Sequence, residues 1–371
     1  MNITMTKKAL LEGLTILERV IPARSSNPIV TTVKLTVTPT TMTAEGTNLE
    51  IDMQSVIPCE ADQAGTLVLP MHLFTQVIRN MGADIVTMTV TGTVVNVKAG
   101  GSQFELQAND ATAFPTLSFD RETTVEVQAD AFAAALKHVK HAASTESFQA
   151  VFRGVKLEFR ERSLRCVASD GYRVALSDIS DEGLVVGEET PRDVIVPSRS
   201  ADELTRLLNA EADGGMVEVG FADGVIFVRG ARGMMTVKLL DGDFPDYERV
   251  MPKTSKVTAS VDGDALLKAV NTVAIMSDKN ANNRVEVTVS KDRVLLETHG
   301  DYGRGSQTVD GVVTLPEGQT SMALAFNARH LIDALSQVNG PACLTFNESI
   351  TPAVVSGVTN RFLGVLVTLR E

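Results

Sequence analysis

The chain has 371 residues, 44% of them apolar, and carries 34 basic and 46 acidic side chains, a formal net charge of −12. Because single domains commonly hold about 100 to 150 residues, this length predicts two or three domains. With no tryptophan and three tyrosines, the core is expected to be aliphatic and rich in strands. The acidic balance argues against an extended basic surface for nucleic acid, so a role on nucleic acid must explain it.

Six helices are predicted from apolar residues at helical spacing. They cover residues 7–20, 71–81, 130–143, 198–209, 262–276 and 327–338. The first, third and fifth recur at intervals of roughly 125 to 130 residues, and each is followed by a second helix about 60 residues on, which indicates an internal repeat. Ser198 and Asn327 are predicted N-caps, because their short polar side chains can accept a bond from a first-turn N–H.

Between the helices, apolar and polar residues alternate with frequent turn signals, which predicts antiparallel strands and hairpins. Polar, proline-containing segments at 114–124 and 247–256 are the predicted boundaries. The sequence therefore predicts an α+β fold of three similar modules, each with two helices on an antiparallel sheet. Their predicted extents are 1–122, 123–252 and 253–371.

Signals for membrane insertion, disulfides and structural metals are missing from the sequence. The start, MNITMTKKALLEG, has no apolar run, and nowhere do 18 uncharged apolar residues follow one another, so we expect a cytoplasmic protein with no membrane partner. Cys59, Cys166 and Cys343 lie far apart and lack a C-x-x-C partner. They are predicted to be buried apolar residues and not zinc ligands.

Charge is distributed unequally between the predicted elements. The six helices hold ten basic and eight acidic residues, while the rest of the chain holds 24 basic and 38 acidic ones. In the helix at 130–143, Lys137, His138, Lys140 and His141 are predicted to lie opposite an apolar stripe, forming a basic face. Such faces are usually ordinary solvated surfaces, yet they also suit a protein held on DNA by topology, which needs little affinity.

Enzymatic and metal-binding alternatives receive little support from the sequence. The carboxylates of DGDFPD (241–246) fail the EF-hand spacing, and the His138 and His141 pair has no further ligand nearby. Phosphate-loop, dinucleotide-binding and nucleophile-elbow motifs are also missing, so no catalytic residue, metal or cofactor is predicted. Two alternatives remain: a hydrolase that uses Asp170 and Arg173, and a peptide-binding scaffold with no role on DNA.

Several segments, in order along the chain, resemble the bacterial replicative sliding clamp, the beta subunit of DNA polymerase III. They are GTNLEI (46–51), AFPTL (113–117), VASDGYRVAL (167–176), LLDGDFPDYERVMPK (239–253) and FNARHLIDAL (326–335). The resemblance covers essentially the whole chain. It implies a head-to-tail homodimer that closes a six-domain ring around duplex DNA, with helices lining the hole and acidic sheets outside, and with no catalysis of its own.

The resemblance also implies a groove between the second and third modules that binds short apolar peptides. Its residues would be Phe152, Ser169, Gly171, Tyr172, Arg173, Val174, Pro245, Arg249, Val250, Ile350, Pro352, Val365, Val367, Leu369 and Arg370. Arg173 and Arg249 are expected to hold peptide carbonyls or carboxylates. Without the resemblance, Gly171 and Pro245 would be turn residues and Val174 a core residue. The family often has arginine where Gln149 stands and proline where Thr368 stands, which concerns the outer rim.

Two further surfaces follow from the resemblance. DNA-facing residues would be Arg24, Arg79, Lys137, Lys140, Arg199 and Arg206. The dimer interface would place Phe104 against Ile275 and Met276, although internal core packing is the alternative for these three. Expected partners are a second copy, double-stranded DNA, the polymerase alpha subunit, an ATP-driven clamp loader, and other polymerases and repair proteins that carry short apolar motifs, all near the nucleoid.

Overall fold

The computed structural model describes residues 1–119, 125–160, 163–179, 184–186, 192–211, 214–222, 224–347, 351–358 and 361–370. The chain forms two compact units. The first comprises Met1–Ala133, Gly183–Glu189 and Arg199–Leu239, and the second comprises Ala134–Glu182, Thr190–Ser198 and Leu240–Glu371.

Helices and antiparallel strands make up both units, which confirms the α+β prediction. The helices are α1 (Lys7–Glu18), α2 (Met71–Asn80), α3 (Ala129–Lys140), α4 (Ser198–Asn209), α5 (Gly263–Ala274) and α6 (Ala328–Leu335). The first strands are β1 (Asn2–Thr6), β2 (Thr32–Val37), β3 (Thr41–Thr47), β4 (Ile51–Pro58), β5 (Glu60–Ala61), β6 (Gly65–Pro70), β7 (Ile85–Thr91), β8 (Val94–Ala99) and β9 (Ser102–Gln107). The next are β10 (Val125–Gln128), β11 (Gly154–Arg160), β12 (Ser163–Ser169), β13 (Arg173–Ile179), β14 (Leu184–Val186), β15 (Arg192–Pro197), β16 (Met216–Ala222), β17 (Val225–Arg229) and β18 (Gly233–Lys238). The last are β19 (Val257–Asp262), β20 (Arg284–Ser290), β21 (Arg293–Gly300), β22 (Gly303–Thr314), β23 (Ser321–Asn327), β24 (Pro341–Phe346), β25 (Ala353–Gly357) and β26 (Phe362–Leu366).

The first unit contains two sheets. One has five strands in the order β5-β1-β7-β8-β9, and the other has nine in the order β14-β10-β16-β17-β18-β4-β3-β2-β6. The nine-stranded sheet is continuous because β18 pairs antiparallel with β4, with Val237 opposite Ile51 and Gly233 opposite Ser55. Strands from two sequence repeats therefore share one sheet.

The second unit has one sheet of twelve strands, in the order β15-β11-β12-β13-β26-β25-β24-β19-β22-β21-β20-β23. Its central join is the antiparallel pair β13 and β26, in which Arg173 lies opposite Leu366 and Ser177 opposite Phe362. Here too the last strand of one repeat pairs with a strand of the preceding repeat, so the same connection occurs once in each unit.

Capping and apolar burial explain where the helices form. The Thr6 hydroxyl caps α1 by accepting a bond from the Ala9 N–H, and the Asp262 carboxylate caps α5 in the same way. The predicted cap Asn327 is confirmed, since its side chain accepts from the N–H of Arg329. Ser198 is not a flanking cap, because α4 begins at Ser198 itself.

The predicted helices begin within one residue of the observed ones, and all but α4 end earlier than predicted. The helix predicted to 143 ends at Lys140, where turn bonds from Ala142 to Val139 and from Ala143 to Lys140 replace the helical ladder. Leu10, Leu14 and Leu17 of α1, and Ile21 just after it, follow helical spacing and are fully buried. The repeat period was therefore readable from apolar spacing alone.

The cysteines are free, with Cys59 and Cys166 buried and Cys343 half-buried, so the prediction of apolar packing holds best for the first two. Burial raises the pKa of the Cys166 thiol well above its ordinary value. Among the residues described, no helix has both the length and the apolar character needed to cross a bilayer.

Candidate functional site: an apolar groove and exposed cations

The second unit carries a buried apolar cluster where the predicted groove residues meet, and we call this cluster and the residues packed on it the apolar groove. The cluster is Val167, Val174, Leu176, Tyr247 and Val365, with Phe244, Met251, Val354 and Leu363 against it. Strand register explains the grouping, because Val174 lies opposite Val365 and Val365 opposite Val354. Side chains directly opposite one another project from the same sheet face, so the pairing of β13 with β26 brings together residues almost 200 positions apart.

A tight turn between β12 and β13 forms one rim of the groove. The Ser169 hydroxyl accepts from the Gly171 N–H at 3.1 Å and donates to the Arg173 carbonyl at 2.8 Å. Gly171 has φ +90, a conformation that side chains with a Cβ rarely adopt. The turn leaves the ring of Tyr172 68% exposed, so Tyr172 is available to a ligand whereas Ser169 is structural.

Arg173, predicted to bind peptide carbonyls or carboxylates, is bonded within the protein. Its Nε donates to Asp170 at 2.9 Å, one terminal nitrogen to Asp333 at 2.6 Å and the other to the carbonyl of His141 at 2.6 Å. Only 11% of the side chain is exposed. Three of its five N–H groups are thus bonded within the protein, and they fix Arg173 between the β12–β13 turn and α6. Asp170, the other residue of the hydrolase alternative, accepts the bond from Arg173 Nε.

Beside Tyr172 lies a second, more polar cavity of about 440 Å³. Its walls are Tyr172, Asn282, Asn327, His330, Val367 and Leu369. The C-terminal segment is fixed there by main-chain bonds from Val367 N–H to the Tyr172 carbonyl at 3.1 Å and from Leu369 N–H to the Ala325 carbonyl at 2.8 Å. The Arg370 carbonyl accepts from Arg284 at 3.0 Å, while the Arg370 side chain points outward and is exposed.

The segment after β18 forms the opposite rim. Pro245 and Val250 are exposed, and Arg249, which is 83% exposed, pairs with Asp246 at 2.7 Å. Beneath them the Tyr247 hydroxyl donates to Glu158 at 3.0 Å, which fixes the ring in the groove floor. Arg249 is therefore the predicted arginine that remains accessible to a ligand.

The remaining predicted groove residues are placed as follows. Phe152 makes an edge-on contact with Phe244, with ring centroids 6.3 Å apart. Pro352 is half-buried just before β25, and Val174 and Val365 are floor residues, not contacts on the rim. Ile350 lies outside the described residues. Of the two departures from the family pattern, Gln149 is exposed and Thr368 is buried.

Several residues of the groove and cavity were missed from sequence. Leu176, Phe244, Met251, Val354 and Leu363 belong to the apolar groove, and Asn282, Asn327 and His330 to the cavity. The alternation along β13 could have indicated Leu176 as a residue on the same face as Val174. No local signal indicates Asn282 or His330, since they reach the cavity only through tertiary contacts.

The predicted DNA-facing cations lie on the surface, but two of them are paired. Arg24, Lys137 and Arg199 are exposed and Lys140 is half-buried. Arg79 forms a two-bond pair with Glu18, and Arg206 pairs with Glu203. Exposed pairs of this kind are worth little energetically, so both guanidinium groups can be redirected to a phosphate.

The predicted basic face of α3 is wrong for its histidines. His138 and His141 lie inward, with ring centroids 5.9 and 6.0 Å from that of Phe362, and the His138 ring is 3.1 Å from the Ser177 hydroxyl. Burial lowers the pKa of both, and for His141, with the Arg173 charge adding to the effect, to about 4. Neither ring belongs to a metal-like cluster, and no group of three such side chains occurs in the described part of the chain.

Buried His141 predicts a loss of stability in mild acid. Its folded-state pKa of about 4 lies below the ordinary 6.5, so the unfolded chain binds the proton more readily. The neutral ring of His141 therefore contributes fully to the free energy of unfolding above pH 6.5. This contribution decreases by on the order of 3 kcal/mol as the pH falls to 4. Urea titrations at pH 7 and 4.5 should show a smaller difference in unfolding free energy for His141→Gln than for the wild type, and equal differences would contradict the assignment.

The predicted interface residues are not core residues. Phe104, on edge strand β9, is 41% exposed, and Ile275, directly after α5, is 80% exposed. Met276 packs under the β21–β22 turn, with its methyl group 3.3 Å from the position a Cβ would take at Gly303. Exposed large apolar side chains of this kind are typical of an interface.

Three family models match the chain end to end: the N-terminal domain of the DNA polymerase III beta subunit over residues 1–118, the central domain over 126–246 and the C-terminal domain over 248–367. A beta sliding clamp from Caulobacter vibrioides is 28% identical over 365 residues, covering 96% of this chain and 95% of that protein. The crystal structure of the DNA polymerase III subunit beta from Pseudomonas aeruginosa is 24% identical, with a TM-score of 0.92 and complete coverage of both chains. A clamp from the same organism bound to griselimycin is 23% identical, with a TM-score of 0.92 and complete coverage.

The fold and the groove thus define a three-module clamp of antiparallel sheets and paired helices. The chain belongs to the DNA polymerase III beta subunit family, the beta sliding clamps, and acts as a processivity clamp on DNA. The family resemblance seen in the sequence is confirmed.

Proposed function

We propose that two copies of the chain close head to tail into a ring of six modules around duplex DNA, and that the apolar groove tethers polymerases to it. The module boundaries near 122 and 252 are part of this proposal. The observation that carries it is the repeated strand pairing between modules.

Each unit contains one such join, β18 with β4 and β13 with β26. By the same repeat, β9 is the equivalent closing strand of the first module, and the first half of β22 is the equivalent accepting strand of the third. Within the described residues, the outer edge of β9 and that of β22 from Gly303 to Val309 have no strand partner. Exposed edges readily pair with another chain, and a heterologous contact that closes produces a ring.

The apolar side chains at these edges support the same contact. Phe104 lies on β9, while Ile275 and Tyr302, which is 97% exposed, flank the start of β22. Pairing β9 of one copy with β22 of the other would cover all three and remove both free edges. Two identical contacts would then close the ring.

A ring explains how an acidic protein works on DNA. Held by topology, the clamp needs only weak attraction from cations such as Arg24, Lys137 and Arg199, and an acidic exterior discourages other contacts with the duplex. The protein would be cytoplasmic, associated with the nucleoid, and would catalyse no reaction itself. A separate ATP-driven loader would open it.

The apolar groove would receive short extended peptides from the polymerase alpha subunit, other polymerases and repair proteins. Burial of a Leu or Phe side chain there contributes about 1.5 to 3 kcal/mol, which is enough for recognition and leaves partners able to exchange. Tyr172, Val250 and Val367 form the accessible rim, and Arg249 can pair with a peptide carboxylate.

The decisive experiment uses the wild-type protein loaded by its clamp loader and ATP onto nicked circular DNA, separated from free protein by gel filtration and then treated with a single-cutting nuclease. Most of the protein is expected to leave the linear DNA and to stay on uncut circles in the same salt. Equal retention on both forms would show direct binding instead of encirclement.

A further inference from the structure

The first unit contains a cleft that is separate from the apolar groove and that shares one predicted DNA-facing cation, Arg206. It lies between α1 and α4, has a volume of about 450 Å³ and is lined mainly by apolar surface. Leu11 and Ile16 of α1, Met53 of β4 and Leu207 of α4 form its floor. This volume falls within the range of roughly 300 to 1,000 Å³ typical of ligand sites. We call it the α1–α4 cleft.

The rim of the α1–α4 cleft is cationic. Lys8, Arg19, Arg206 and Arg232 surround the floor, against two carboxylates. Arg206 is paired with one of these, Glu203, but among the described residues Lys8, Arg19 and Arg232 have no acidic partner within 4 Å. In a chain of net charge −12, this concentration of unpaired cations beside an apolar floor produces a local positive potential.

In the second unit, described side chains occupy the space between α3 and α6, the helices that correspond to α1 and α4 in the repeat. Phe362 and the two inward histidines fill this space, and Arg173 bridges from the carbonyl after α3 to Asp333 of α6. An open cleft is therefore not a necessary result of the repeated architecture.

We propose that the α1–α4 cleft binds an acidic peptide segment that inserts one large apolar side chain. The floor supplies the apolar surface, and the three unpaired cations complement flanking carboxylates. Nucleic acid fits less well, because bases stack on aromatic rings and the floor is aliphatic, while duplex phosphates would leave that floor in water. If the ring proposed above is correct, α1 and α4 face its hole, so this peptide and DNA exclude each other. The cleft would then hold a partner of the clamp off DNA.

The test uses the full-length protein with ¹³C-labelled methionine methyl groups, because Met53 lines the α1–α4 cleft and Met251 packs on the apolar groove. Their signals are assigned with Met53→Leu and Met251→Leu. The probe is the peptide acetyl-Asp-Asp-Phe-Asp-Asp-amide, and its matched control carries Asn at every Asp position. The acidic peptide is expected to shift the Met53 signal saturably and leave Met251 unmoved, and the Asn peptide to bind at least about tenfold more weakly.

Two variants test the cationic rim and the apolar floor of the α1–α4 cleft separately. Arg232→Glu and Ile16→Ser should each weaken the Met53 response by at least about tenfold, while Arg293→Glu, an exposed arginine in the other unit, leaves it unchanged. Equal melting temperatures confirm that the variants are folded. A response at Met251 alone, or none at all, would overturn the proposal. So would a 20-base-pair duplex that shifts Met53 when the peptide does not. The release of protein from linearised DNA tests the ring separately, so either proposal can fail without the other.

Discussion

Replacing Ile275 with aspartate is expected to convert the proposed dimer into monomers. Ile275 is 80% exposed and lies beside the free edge of β22. In the dimer the new carboxylate would be buried without a partner at both contacts, at a cost of about 3 to 5 kcal/mol each. Light scattering should therefore give a mass near 39.7 kDa instead of twice that value, and the variant should lose processive synthesis.

The matched control is Val56→Asp, which places the same charge on a 55% exposed valine of β4, away from the two free edges. This variant is expected to remain dimeric and to support synthesis. Circular dichroism should show both variants folded. An Ile275→Asp protein with the mass of a dimer would contradict the proposed interface, whatever its activity.

Removal of the last five residues is expected to weaken the docking of partners strongly while the dimer remains. The deletion takes away Val367 and Leu369, which wall the cavity beside Tyr172, together with the main-chain bonds that hold this segment. Loss of one apolar subsite worth about 1.5 to 3 kcal/mol lowers affinity by about 10- to 100-fold. Fluorescence anisotropy with a labelled peptide that carries adjacent Leu and Phe side chains measures this loss.

Because Thr368 within the deleted segment is buried, Val367→Asp serves as a second variant that keeps the chain intact. It should show the same weakening, whereas Val358→Asp, at an exposed valine after β25, should bind the peptide like the wild type. If the five-residue deletion and Val367→Asp both bind the peptide as tightly as the wild type does, the peptide binds at another site.

Sequence reasoning succeeded where the signal is local and periodic. The stripe of Leu10, Leu14 and Leu17 located α1, and the recurrence of such stripes gave the repeat and the α+β class. Motif similarity then located Tyr172 and Val367 near one site. These features depend on neighbours in the chain or on short segments, and both can be read without a structure.

Sequence reasoning failed where the environment of a side chain depends on residues that are distant in the chain. His138 and His141 look like solvated residues of a helix face, yet they pack on Phe362, more than 200 positions away. Arg173 looks like a ligand-binding arginine, but Asp333 and a main-chain carbonyl already occupy it. The α1–α4 cleft has no sequence signature, since it is empty space between elements of two repeats.

The register of the groove floor has a consequence for synthesis of the protein. Val174 lies opposite Val365, and Val367 is held by the carbonyl of Tyr172, so the floor and one wall need β13 and a segment that is translated almost 200 residues later. A ribosome-bound chain that still lacks its final strand has no groove to offer. A peptide that requires this groove therefore cannot capture a nascent chain before β26 has been made and has paired with β13.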